Sequence, residues 1–174
     1  PRVSHNGYYM RVDTKPAENV PKGKVLGNYQ FGDNAYAYLD KITKLCKAIG
    51  LAQKQCKNVM LLGGSRIAYY LSEMLTNTGI SVKIIDRNEA NCELLADLLP
   101  KAIIINADGT QQDLLLEEGL QTMDAFVSLT GTDEENILIS IFATAQNVPK
   151  VISKVNKDEL SAMAEKLGLD TIIS

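Results

Sequence analysis

The sequence has no tryptophan, one histidine and three cysteines in 174 residues, and each scarcity removes a class of chemistry. The lone His5 lies in a polar N-terminal stretch, so no H-E-x-x-H zinc pair exists within the chain and a histidine-based triad is not expected. Cys46, Cys56 and Cys92 are scattered without a C-x-x-C pair, which argues against a disulfide framework or a thiolate metal site. They read as small buried or half-buried residues. No apolar run approaches the ~20 residues that cross a bilayer, and the N-terminus lacks a signal-peptide pattern, so a soluble, cytoplasmic chain without direct membrane insertion is expected. A formal net charge of −3, with no Lys/Arg cluster interleaved with aromatics, argues against nucleic acid as a partner.

What is present is an ordinary globular composition, 45% hydrophobic and 22% charged. That length suits one domain, or one domain and a fragment, with most of its apolar surface buried. The chain changes character near residue 55. Before it, Pro1 to Asn19 is polar and aperiodic, with Gly7 to Val12 as its one candidate strand. Val25-Leu26 and Ala35 to Leu39 read as short strands, and Leu39, Ile42, Leu45, Cys46 and Ile49 recur at helical spacing up to a stop at Gly50. Residues 1–55 are thus expected to be a small, partial α+β segment with a polar connector. The absence of an initiating methionine suggests a piece of a longer subunit.

From Asn58 onward apolar runs alternate with helical patterns. Strands are expected near 59–62, 82–86, 102–106, 125–129, 150–155 and 171–173, and helices near 66–77, 89–98, 111–118, 133–146 and 158–167. This alternation predicts an α/β fold, a Rossmann-like doubly wound parallel sheet of about six strands over residues 58–174, covered on both faces. Gly119 is expected to stop the third of these helices, Thr132 or Asp133 to cap the fourth, and Asn147-Val148-Pro149 to end it. Helix 133–146 is apolar through its middle (Ile137, Leu138, Ile139, Ile141, Phe142, Ala143). It reads equally as a deeply buried core helix or as a subunit interface.

The first strand runs into Gly63-Gly64-Ser65-Arg66-Ile67-Ala68, a glycine turn opening a helix. Such a turn lets a pyrophosphate approach backbone N–H groups at the helix N-terminus. The pattern G-x-G-x-x-G/A is met at Gly63 and Ala68 and departs at Ser65, whose hydroxyl could donate to a phosphate or whose extra atoms could push it away. Arg66 places a positive charge on a helix N-terminus, which suggests an anion nearby. The next strand ends in Asp86, about twenty residues past the first glycine, where a carboxylate can accept both hydroxyls of an adenosine ribose. Asp86 disfavours a 2′-phosphate, whereas Arg87 beside it can accommodate one. Ends of the third and fourth strands supply Asp108, Gly109 and Thr110, then Thr130, Gly131 and Thr132; Asp108 serves equally well as a turn former. No catalytic set is visible, and after the sixth strand nothing remains to build a substrate pocket.

Residues 58–174 resemble the nucleotide-binding lobe of the RCK (KTN) domains that regulate bacterial potassium uptake of the Trk and Ktr type. The carrying motifs are V-M-L-L-G-G-S-R-I-A-Y-Y-L (59–71), K-I-I-D-R-N (83–88), N-A-D-G-T-Q-Q-D-L-L-L-E-E-G-L (106–120), D-A-F-V-S-L-T-G-T-D-E-E-N-I-L (124–138) and V-P-K-V-I-S-K-V-N (148–156). Residues 20–50 resemble the end of the companion C-terminal lobe, with Gly32-Asp33 and Tyr36 matching its G-D-x-x-Y pattern. The resemblance implies a binding module and not an enzyme. It implies a cytoplasmic regulatory subunit at the inner face of the membrane, partnered with a potassium channel or transporter subunit, and an oligomer (dimer or tetramer) through helix 133–146. NAD or NADH would be its ligand, with ATP or ADP the alternative. Gly63, Gly64, Ser65, Arg66 and Ile67 would form the phosphate turn, Asp86 and Arg87 the ribose end, and Asp108, Gly109 and Thr110 the adenosine side. Thr130, with Lys154 near it, would lie toward the phosphate or nicotinamide end. Two competing readings are a fragment of an NAD(P)-dependent oxidoreductase and a degenerate RCK lobe with a structural role.

Overall fold

The computed structural model describes residues 25–26, 29–30, 41–42, 44–45, 48–49 and 56–174. The chain divides into two units, Pro1–Lys41 and Ile42–Ser174. In the first, β1 (Val25–Leu26) pairs antiparallel with β2 (Tyr29–Gln30), Val25 opposite Gln30. Val25-Leu26 was expected as a strand, and its partner was not. The candidate strands at Gly7–Val12 and Ala35–Leu39 lie outside the described residues. Within 41–49 every described residue is helical, and Ile42, Leu45 and Ile49, the apolar positions of the expected helix, are buried.

In the larger unit, strands and helices alternate: β3 (Asn58–Leu62), α1 (Arg66–Asn77), β4 (Ser81–Asp86), α2 (Glu89–Leu98), β5 (Ile103–Asn106) and α3 (Gln112–Glu117). After a 3-10 turn at Leu120–Thr122 come β6 (Ala125–Ser128), α4 (Asp133–Ala145), β7 (Lys150–Lys154), α5 (Asp158–Lys166) and β8 (Ile172–Ile173). The sheet order is β5-β4-β3-β6-β7-β8, every pair parallel. The expected doubly wound sheet of six strands is therefore present. Strand order reverses between β3 and β6, and in such sheets that switch point opens a crevice at the carboxyl ends of the strands.

A strand covered on both faces needs apolar residues at every position. Central β3 meets this requirement, since Val59, Met60, Leu61 and Leu62 are all buried. Met60, Leu62, Ile85 and Phe126 face Leu115, Leu120, Ile139 and Ala143 in the principal core cluster. Edge strand β5 tolerates an exposed Ile103.

Helix ends follow backbone chemistry. Gly79 and Gly168 take positive φ just past α1 and α5, and Asn147 does the same past α4. In each case the next residue's N–H returns to the last turn: Ile80 to Leu75, Leu169 to Ala164, Val148 to Ala143. These are Schellman closures, and they permit short connections into the next strand.

Helix α4 resolves the two readings of its apolar coat. Ile139, Ala143 and Phe142 pack into the principal cluster, while Ile137 and Ile141 pack into a second one with Val155, Ala164 and Leu169. Leu138, 67% exposed, is the large apolar residue of α4 left open to solvent. Most of the coat is core. Thr132 occupies the N-cap position without a side-chain cap hydrogen bond, and Asp133 is engaged elsewhere.

Candidate functional site

At the switch point lies a cleft of about 290 Å³ lined by the ends of β3, β4, β5 and β6. Its floor is the turn after β3. Gly63 has φ +94°, and a Cβ there would sit 2.9 Å from the Thr130 nitrogen and 3.0 Å from the Leu129 carbonyl. No L side chain fits that conformation and that gap together. Gly64 has no positive φ and is confined by side chains instead, since a Cβ would come within 2.5 Å of Asn91 Nδ2 and 2.9 Å of Asp86 Oδ2. Ser65 then N-caps α1, its Oγ accepting from the Ala68 N–H at 3.3 Å. That bond uses the hydroxyl as acceptor and leaves its O–H as a donor. Ala68, which meets the pattern as alanine, is fully buried, so its methyl group is accommodated in the packing of α1.

Asp86 organises the β4 side. Its Oδ2 accepts from the Gly64 N–H and from Asn91 Nδ2 at 3.2 Å, and its Oδ1 accepts from the Asn88 N–H at 2.7 Å. Asn91 Nδ2 also donates to the Gly64 carbonyl at 2.9 Å, closing a ring that fixes the glycine turn to α2. A carboxylate has about four acceptor positions. Three donors already occupy Asp86, so it can take one ribose hydroxyl without breaking an internal bond. Taking both would require displacing one. Beneath it, buried Cys92 donates to the Asp86 carbonyl at 3.3 Å. Burial pushes that thiol above its ordinary range, and nearby Asp86 and Glu89 add to the effect against hydrogen bonds from Asn106 and to Asp86. The Cys92 thiol is therefore held in the protonated form at neutral pH.

Asp108 closes a turn at the end of β5. Its Oδ1 accepts from the Thr110 hydroxyl at 2.7 Å and the Thr110 N–H at 3.0 Å, and those bonds hold the carboxyl below its usual range. Gly109 packs against Leu62, where a Cβ would meet the leucine's Cδ1 at 2.1 Å. Of the two readings of Asp108, the turn former is realised in these contacts.

The β6 side is held by a buried amide. Asn136 is fully buried; its Oδ1 accepts from the Thr130 N–H at 3.0 Å and hydroxyl at 2.8 Å, and its Nδ2 donates to the carbonyls of Thr130 at 3.2 Å and Lys154 at 2.9 Å. Next to it, Asp133 Oδ2 accepts from the N–H groups of Asn156 and Lys157 at 3.0 and 2.9 Å, and Oδ1 from Asn156 Nδ2 at 3.1 Å. Burial pushes the Asp133 carboxyl up, but these donors outweigh it and hold the group below its ordinary value. Asp133 and Asn136, in the run T-G-T-D-E-E-N (130–136), thus stitch the loop after β6 to the loop after β7.

Nine expected residues share the cleft: Gly63, Gly64, Ser65, Asp86, Arg87, Asp108, Gly109, Thr110 and Thr130. Arg66 begins α1 with its side chain exposed, Ile67 is buried in the core, and Lys154 meets the site through its carbonyl to Asn136. Asn91 and Glu135 also line the cleft and escaped sequence reasoning. Asn91 lies on α2 and reaches the turn only because β4 lies beside β3. Glu135, on α4, forms an ion pair with Arg87 at 3.6 Å, a contact that no local pattern encodes. No group of three or more His, Cys, Asp and Glu positioned to hold a metal occurs among the described residues.

A parallel sheet reversing at β3 and β6, with a glycine turn into a capped helix and an acid closing β4, defines a Rossmann-type domain of the kind built around nucleotide clefts. More narrowly, the chain belongs to the TrkA-N domain family, which matches residues 59–174. It is 30% identical over 117 residues to the Trk system potassium uptake protein TrkA homolog 2 of Methanosarcina mazei, covering 67% of this chain and 26% of that protein. The chain thus spans about a quarter of that relative's length. Among solved structures, the TrkA-N domain of the inner membrane protein ybaL from Escherichia coli superposes with a TM-score of 0.61 at 16% identity, over 69% of this chain and 88% of that one. The GsuK structure bound to ADP gives 0.60 at 18% identity, over 76% and 35%. These two likenesses concern the fold.

Proposed function

We propose that this chain is the nucleotide-sensing lobe of a regulatory subunit of a potassium uptake system. It binds NAD or NADH, with ATP or ADP as the alternative, and passes the bound state to a membrane channel or transporter subunit. The observation that carries this reading is the Gly63-Gly64 turn running into a serine-capped helix at the switch point, beside an open cleft. Phosphates would lie at the α1 N-terminus, near Ser65 and Arg66, where unsatisfied N–H groups and the helix dipole favour negative charge. Asp86 would take one ribose hydroxyl. A TrkA relative names the potassium system, and the ADP in GsuK supports an adenine nucleotide.

The lobe works as a binding module and not as an enzyme, a reading supported by how its acids are committed. Asp86 and Asp108 are held by N–H and O–H donors, and Glu135 faces Arg87. It sits at the inner face of the membrane as part of a longer subunit, with residues 1–55 as the end of a companion lobe and 58–174 as the nucleotide lobe. Among the described residues no helix is long and apolar enough to cross a membrane. Assembly with further copies uses the exposed side of α4 at Leu138. Ile139 and Phe142 belong to the core and would report on folding instead. A ligand can bias such an assembly only by binding one arrangement more tightly than another.

Isothermal titration with NAD, NADH, ATP and ADP tests the reading. One saturable site is expected, weakened about tenfold for ADP by Arg66→Ala, the effect of a charge-assisted phosphate contact. A folded protein giving no heat with any of the four would refute it.

A further inference from the structure

Three carboxylates and one cation line the cleft: Asp86, Asp108, Glu135 and Arg87. The acids are not equivalent. Asp86 and Asp108 are held by backbone N–H groups and by side chains next to them. Glu135 is instead paired with Arg87 at 3.6 Å. Arg87 follows the last residue of β4, and Glu135 lies on α4 after β6. Because β3 lies between β4 and β6, the pair reaches across the carboxyl end of the central strand. It therefore spans the mouth of the crevice where a nucleotide would lie.

Taking that nucleotide reading as its basis, we propose that Glu135 is a specificity-determining residue: it is a resident anion that occupies Arg87 and makes the cleft select against nucleotides carrying an additional phosphate. A guanidinium presents donors suited to bidentate recognition of phosphate. At 3.6 Å the carboxylate contact is an ion pair longer than a normal N–H···O hydrogen bond, and so it is exchangeable. An incoming phosphate could capture Arg87 only by displacing Glu135, whose carboxylate is the less exposed member, 28% against 66%. The displaced carboxylate would then face a dianion without its counter-charge. Nucleotides that end short of Arg87 leave the pair intact and avoid that repulsion. The additional phosphate can be a ribose 2′-phosphate or a terminal phosphate, and the chemistry at Arg87 is the same.

The test is titration of the whole chain with NADH and NADPH, and with ADP and ATP. The proteins are the native sequence, Glu135→Gln, Arg87→Gln and the double variant, with circular dichroism confirming the fold of each. Removing the carboxylate should lower the Kd ratio NADPH/NADH or ATP/ADP by about fivefold, the scale of a partly exposed charge pair. Which ratio falls identifies the position of the phosphate. In the double variant the gain should vanish, since the cation that earns it is gone. Nucleotide binding with both ratios unchanged in Glu135→Gln would overturn this inference and leave the nucleotide site standing. If Glu135→Gln fails to fold, Arg87→Gln decides: unchanged ratios there also overturn the inference. Absence of binding by the native chain would instead overturn the nucleotide reading, and this inference with it.

Discussion

On the β3–β4 side of the cleft, Gly63 and Gly64 fix the turn by having no side chain, whereas on the β6–β7 side Asp133 and Asn136 fix the loops with side chains whose polar atoms are all engaged. The first wall is closed by contact distances, and an added atom has nowhere to go. Buried hydrogen bonds close the second wall, and there the damage comes from removing an atom that completes them. This difference shows why the glycine turn and the run Thr130 to Asn136 are both local in sequence but act by different physics. The glycine turn lets the chain pass close to the backbone after β6 and to the Asp86 and Asn91 side chains. The second motif holds the opposite lip in place.

The comparison can be broken most severely at Gly63. Gly63→Val should cost about 4 kcal/mol or abolish folding, because positive-φ strain adds to overpacking against the Thr130 backbone. Urea denaturation measures this directly. Asn136→Leu should cost about 3 kcal/mol by the same measurement. It strands the Thr130 N–H and the Thr130 and Lys154 carbonyls in a buried site, although the number of side-chain heavy atoms is kept. If both substitutions cost under 1 kcal/mol, the two walls are not held as described.

Asp133→Asn sharpens the comparison with a smaller effect, about 2 kcal/mol at neutral pH, since a charge-assisted acceptor of three donors is replaced by an amide. The pH dependence has a definite sign. The Asp133 carboxyl lies below its ordinary value in the folded protein, so the folded state binds fewer protons than the unfolded one as the carboxylate range is crossed. Its stabilisation is present above the unfolded pKa, near 4, and is lost as pH falls through the folded value. Thermal melts between pH 7 and pH 3 should therefore show less acid destabilisation in Asp133→Asn than in the native sequence. Parallel curves would remove Asp133 from this role.

Much of the fold was legible because periodicity reports burial. The unbroken apolar run Val59–Leu62 is what a doubly covered strand requires, and the positions where Gly119 and Asn147 turn the chain followed from residues that tolerate positive φ. Two-residue β2 was not legible, since Tyr29–Gln30 is too short to show alternation. Of the two residues expected to cap α4, Thr132 holds the N-cap position, and Asp133 does not because its carboxylate is spent on Asn156 and Lys157, more than twenty residues away.

At the site, the glycines and the terminal acid were visible as spacing, but the partners that define their roles were not. Asn91 and Glu135 meet Asp86 and Arg87 only through the parallel strand order. The spacing makes Asp86 a candidate for a ribose contact, and in the structure most of its acceptor capacity holds the turn.

The most direct test of the central claim, a nucleotide site at the β3/β6 switch point, is amide chemical-shift mapping during titration with NADH and with ADP. Saturable shifts should centre on Gly63, Ser65, Arg66, Ile67 and Thr130, and should leave α3 unmoved. Saturable binding whose shifts centre elsewhere, or no shifts at millimolar ligand, would contradict it.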